Sequence, residues 1–305
     1  MFWSGDDEHA RTAIGRIETG LATLARRWET TAPADIVERL DGLTRHAPAA
    51  PGRMGATLLR EWQRTHSRLL LMSAVAQSDN DMPARAAASA RTALALARQA
   101  GDAPTQAHAM VVLAELTAYT FGNPPEGLLL AAAARTVAPR SHTAVLALAT
   151  EAHIRASRGE PADRVRLTLQ QADEVSQRLI PGRPGYALDA LCPAFLPMVG
   201  GSALVGAGAL DEGRRWLDEA AVLFEEGRAP GALAAVRLYQ ASAAMYKGEL
   251  DEAQTLATRA LATSAVRPSA WLTGGIALLA ARARRRGADW SGLAIQAREW
   301  APGCA

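Results

Sequence analysis

The sequence predicts an all-α protein, a right-handed solenoid of about six degenerate helical hairpins behind N-terminal helices. Three observations predict it. Hydrophobic residues make up 49% of the 305 and aromatics only 5%, much of the apolar fraction being Ala. Such a composition packs helices closely and supplies few strand formers. The stretch GALDEGRRWLDEA at Gly208 returns as GELDEAQTLATRA at Gly248. Weaker copies start at Asp81, Gly122, Gly159 and Gly287, so a period near 40 residues runs through most of the chain.

In chain order, residues 6–28 carry an amphipathic helical pattern. ETTAPADIVERLDGLTRH reads as a second helix, with Thr31 as N-cap and Pro33 just inside. Residues 1–50 are taken as an N-terminal helical segment and 51–305 as the repeat domain. Each repeat then follows one scheme. A first helix is plain in LLREWQRTHSRLLLMSAVAQ, AHAMVVLAELTAYT, AVLALATEAHIRAS and AVRLYQASAAMY. The start residue, usually Gly, ends it in the left-handed conformation. Pro or a carboxylate then opens the second helix, where both are favoured. A small residue five places after the start allows close approach within the hairpin. A bulky one at eight and a small one at twelve continue that face. In all, about fourteen helices and no sheet are expected. The longest interval holds IPGRPGYALDALCPAFLPMVGG, whose prolines break the helical pattern. It reads either as a long connection or as a loop lining a pocket, offering Tyr186, Phe195, Leu196 and Met198.

Signals for chemistry are sparse. Net charge is +2, and the densest basic run, Arg282, Arg284, Arg285 and Arg286, precedes Gly287 as a helix end does, so direct nucleic-acid binding is not expected. Cys192 and Cys304 offer neither metal spacing nor a disulfide framework. VGGSALVGAG lacks the lysine and preceding strand of a phosphate loop. No H-E-x-x-H or G-x-S-x-G occurs. None of the six histidines forms a metal pair at helical spacing, and no cofactor is expected. Asp211/Glu212 and Asp251/Glu252 sit where helix dipoles favour carboxylates. MFWSGDDEHA has no apolar core of a signal peptide, and the run from Trp271 to Ala283 is too short to span a bilayer. A cytoplasmic location is expected.

Binding is therefore favoured over catalysis. In a helical-hairpin solenoid the first helices line the concave face. Counting back from each start gives Arg68, Leu71, Met72 and Val75, then Val112, Leu113, Leu116 and Tyr119, then His153. The fourth hairpin offers Phe195 and Met198, the fifth Leu238, Tyr239, Ser242, Met245 and Tyr246. The expected groove is largely apolar, with tyrosine hydroxyls, one histidine and adaptable methionines. It suits a hydrophobic small molecule or the apolar face of a partner helix or peptide. The same stripe on a helix is equally the pattern of a core face.

The offsets of Gly, small, bulky and Ala resemble the second helix of a tetratricopeptide repeat (TPR). LARRWETTAPADIVERLDGL, ARTALALARQAGD, the Pro/Gly-rich interruption and YKGELDEAQTLATRAL extend this. From about residue 20 the chain resembles the TPR-like C-terminal half of actinobacterial helix-turn-helix regulators of the xenobiotic-response-element class. The single lysine, Lys247, against many arginines fits a high-GC source. In that family a DNA-binding module lies upstream, and the residues before the matching region are too few for one. The resemblance implies a sensor or adaptor in transcriptional or pathway regulation, with a homodimer as one arrangement. The competing expectation is a biosynthetic enzyme or ligand carrier using His153 and the tyrosines around a hydrophobic substrate.

Overall fold

The computed structural model describes residues 4–46, 54–182 and 190–300. Among the described residues there are fourteen α-helices and no strand. They are α1 (Ser4–Arg27), α2 (Pro33–His46), α3 (Ala56–Asp79), α4 (Pro83–Ala100), α5 (Ala103–Glu115), α6 (Pro124–Val137) and α7 (His142–Ser157). Then follow α8 (Ala162–Ser176), α9 (Phe195–Gly206), α10 (Leu210–Glu226), α11 (Pro230–Lys247), α12 (Leu250–Thr263), α13 (Ala270–Arg285) and α14 (Ser291–Glu299). A π turn, Leu116–Thr120, extends α5, and 3-10 turns occupy Trp28–Thr30 and Ser264–Val266.

Each helix packs on its neighbours in sequence, and the odd-numbered helices α3, α5, α7, α9, α11 and α13 also pack in succession. This is the contact pattern of stacked hairpins, consistent with a solenoid. No helix among the described residues is long and apolar enough to cross a membrane. The first two helices share a core with α3, through Ile17, Leu21, Leu24, Trp28, Ile36, Leu40, Leu69 and Met72.

The repeat has the physical basis that its spacing implies. All six start residues have positive φ: Asp81 (56°), Gly122 (68°), Gly159 (74°), Gly208 (85°), Gly248 (86°) and Gly287 (83°). The small residue five places on is a close-approach point. A Cβ on Gly213 would lie 2.7 Å from the carbonyl oxygen of Gly201 on α9, and one on Gly127 2.9 Å from that of Ala114 on α5. Ala93, Ala134, Ala220 and Ala260, twelve places on, are fully buried. The bulky residue at eight is only half-buried, as Leu130, Trp216 and Leu256 show, and the residue after it (Ala131, Leu217, Ala257) carries the core contact. In the third copy α8 starts one residue later, so Val165, Leu169 and Ala172 take the buried places and Leu167 is exposed.

Two local expectations change. Thr31 is not an N-cap: its hydroxyl donates to the Arg27 carbonyl at 2.8 Å, tying it to the preceding helix. The glycine-rich VGGSALVGAG lies mostly within α9. Its glycines make room: a Cβ on Gly200 would meet the Trp216 ring at 2.5 Å.

The two ends of the array meet. Arg267, 5% exposed, donates from Nη2 to Asp79 of α3 at 2.6 Å and from Nε to the Trp28 carbonyl at 2.9 Å. Its guanidinium also lies 4.9 Å from the Trp28 ring centre. Glu29 accepts from the Ala232 amide at the start of α11 at 3.0 Å. Segments more than 180 residues apart are thus joined through buried charges, and α13 packs against α3.

Candidate functional site

The inner faces of the odd-numbered helices are set by helical spacing. Six residues before Gly159, Gly208 and Gly248 stand His153, Ser202 and Ser242. Nine before Gly159 and Gly248 stand Thr150 and Tyr239. Inner rings meet across four helices. Tyr119 and His153 have centroids 5.2 Å apart, His153 and Tyr239 6.2 Å, Tyr239 and Trp271 6.1 Å. The ladder therefore runs from the end of α5 through α7 and α11 to the start of α13. Its two outer members, Tyr119 and Trp271, are 44% and 40% exposed, so the ladder ends in open space. A cavity of about 450 Å³ opens beside Trp271, lined also by Ser78, Thr120, Thr273, Gly274 and Arg298.

Polar side chains stand beside the ladder. The Ser202 hydroxyl lies 3.3 Å from His153 Nε2. The Ser157 hydroxyl donates to the Ile154 carbonyl at 2.8 Å, and Thr150 donates to Glu115 at 2.9 Å. Burial controls their ionisation. Loss of water pushes His153 down to about 4, so its imidazole is neutral at neutral pH. The same desolvation raises both tyrosines, Tyr239 to about 12, with the charge of Glu115 adding to it. Glu115 itself rises to about 7, chiefly from enclosure in protein, with the Thr150 hydroxyl opposing and Asp79 adding. Its side chain is nonetheless exposed to solvent.

The π turn places Glu115. The Phe121 amide bonds to the Leu116 carbonyl five residues back, at 2.9 Å, which adds one residue to the helix. Residues before it are displaced by one place. Glu115, seven before Gly122, takes the inner position held elsewhere by His153, Ser202 and Ser242. Leu116, six before, turns into the core at 3% exposure. Within the turn, Tyr119, three before Gly122, comes to match Ser157 and Tyr246, each two before its glycine and exposed.

Of the residues expected to line a groove, Tyr119, His153 and Tyr239 are brought together. Met72, Leu116 and Met245 are instead core residues, along with Leu71, Val112, Leu113 and Leu238. Helical periodicity marks the core face and the inner face as adjacent stripes, and these fall on the first. Arg68 and Val75 are half-buried on α3. Phe195 and Met198 pack half-buried against core clusters around α9. The Ser242 hydroxyl donates within its own helix to Leu238 at 3.0 Å. Tyr246 stands apart from the ladder: the Arg282 guanidinium lies 5.5 Å from its ring centre and donates to its hydroxyl at 3.2 Å. Tyr186 lies outside the described residues. The described flanks of the interruption, among them Leu191, Pro193, Leu196 and Pro197, line a separate cleft of about 600 Å³ with Trp216. The inner face is thus aromatic and polar rather than broadly apolar.

Sequence reasoning passed over Glu115, Thr150, Ser157, Ser202 and Trp271. Glu115 had a signal: it is the one charged residue between His108 and Glu126. The pairing of Asp79 and Trp28 with Arg267 had none, because no local pattern links such distant segments. Neither the family models nor the curated proteins searched include a match to this chain.

Proposed function

We propose that this chain is a non-enzymatic sensor or adaptor that binds a small hydrophobic molecule in its inner hollow. Occupancy would be passed to a regulatory partner. The observation that carries the reading is the Tyr119–His153–Tyr239–Trp271 ladder ending beside a cavity. About 450 Å³ falls in the range of small-ligand sites. A partner helix, about 10 Å across, fits less well, because inner rings on α5, α7 and α11 already touch. The ladder also favours binding over turnover. His153 is neutral and engaged with Ser202, which suits it to hydrogen bonding rather than to proton donation at neutral pH.

The test uses Nile red, an uncharged apolar dye whose emission rises on burial. Wild-type protein is expected to bind it at one saturable site. Trp271→Ala removes one end of the ladder from a partly exposed position and is expected to weaken binding at least tenfold with unchanged far-UV circular dichroism. Equal affinity in both proteins, or no saturable site, would contradict the reading.

A further inference from the structure

The cavity beside Trp271 is lined by a carboxylate and a guanidinium as well as by a ring. Asp81 reaches it from the turn between α3 and α4, and Arg298 from the last turn of α14. The Ser78 and Thr120 hydroxyls stand with them. Among the described residues, Asp81 and Arg298 form no ion pair with each other or with any other group, and none of these four side chains takes part in a hydrogen bond. Arg267 of the clasp is by contrast fully engaged. No other Lys, Arg, Asp or Glu among the described residues lines the cavity, so its two charges balance. Asp81 is also the one hairpin start of six that is not glycine, at φ 56°. The left-handed turn alone favours glycine, and Asp adds a carboxylate that glycine lacks.

We infer that the ligand of this cavity is a zwitterion of the amino-acid class: a free ammonium and a free carboxylate on an aromatic body. The ammonium meets Asp81, the carboxylate meets Arg298, and the ring lies against Trp271. The inference rests on the hollow being the ligand site and names the polar end of its ligand. A ligand that fills the cavity strips water from both charges, and a desolvated charge is costly unless paired. A dipolar ion pairs both at once. Its N–H groups donate to the Asp81 carboxylate, and the Arg298 guanidinium donates to its carboxylate. An anion satisfies Arg298 but faces Asp81, and a cation does the reverse. An uncharged body gains the ring contact alone and binds more weakly. Trp271 offers that contact at 40% exposure, at the end of the ladder where it stacks on Tyr239.

Four probes with one side chain separate the possibilities: phenylalanine, phenylalanine amide, N-acetylphenylalanine and N-acetylphenylalanine amide. They are a zwitterion, a cation, an anion and a neutral molecule, titrated calorimetrically at pH 6. The wild type is expected to bind the zwitterion at least tenfold tighter than the cation or the anion, and the neutral probe weakest. Asp81→Asn keeps the shape of the side chain, and Asn tolerates the left-handed backbone as Asp does. It is expected to lose the gain from the ammonium and keep that from the carboxylate. Arg298→Gln is expected to do the reverse. Unchanged thermal unfolding shows that both variants are folded. A neutral probe that binds as tightly as phenylalanine would overturn the inference while leaving the hollow as an apolar site. So would a zwitterion preference that survives intact in either variant, or Nile red binding with no binding of any probe. Failure of Nile red and all four probes would overturn both readings.

Discussion

Arg267 carries a full charge into a site that is 5% exposed. Its cost is offset by a carboxylate, a carbonyl and an aromatic face, a set that leaves little of the guanidinium unsatisfied. Such a pair contributes less than its geometry suggests, but removing one partner is expensive because the other is left buried and uncompensated. Asp79 is already raised above the ordinary carboxylate range by burial, with Arg267 pulling it back. Arg267→Ala is therefore expected to lower unfolding stability by about 3 kcal/mol in urea denaturation. Leu256→Ala, a half-buried contact within one hairpin, is expected to cost less than that. A value for Arg267→Ala within about 0.5 kcal/mol of wild type, the ordinary range of surface substitutions, would show that the clasp adds nothing.

At the scale of the element, the hairpins owe their geometry to small residues at defined places. Gly213 approaches Gly201 so closely that an added Cβ would lie 2.7 Å from a backbone oxygen and 2.8 Å from a backbone nitrogen. Neither atom can move without the helix. Gly213→Ala is expected to destabilise by about 1–3 kcal/mol, as overpacked cores do, whereas Gly292→Ala in the last hairpin meets no atom within 4 Å and is expected to be neutral or better. Thermal unfolding of the two variants checks the contrast. Hairpin starts, second helices and first-helix bounds were legible in the sequence because each has a local cause: a left-handed residue, a Pro or carboxylate in the first turn, an apolar stripe. The inner face was legible only in part. His153 and Tyr239 follow the regular spacing. Leu116 does not, because one residue of π geometry exchanges it with Glu115. Met72 and Met245 show the remaining difficulty: inner and core stripes lie side by side on each first helix, and periodicity gives the stripe without its sign.

At the scale of the whole molecule, two contacts depend on the path of the entire array. The clasp brings α3, α11 and the α13 entry to the Trp28–Thr30 turn. The ladder draws together rings from four helices. Neither can form in an isolated repeat. A ligand on the ladder would contact helices from both halves of the array and so couple its binding to the closure of the array. The outer ion pairs Arg166–Glu212 and Arg214–Glu252 link successive second helices at the surface, where such pairs contribute about 0–1 kcal/mol each. They leave the closure to the buried clasp. A competing surface exists in a shallow groove of about 510 Å³ between α1 and α2, lined by Leu24, Leu43, Arg16 and Arg39. Hydrogen–deuterium exchange with and without saturating Nile red separates the two locations most directly. Protection is expected in peptides covering 112–121, 150–158, 235–246 and 267–276, with residues 16–43 unchanged. Protection confined to 16–43, or no change anywhere at saturation, would contradict the hollow as the binding site.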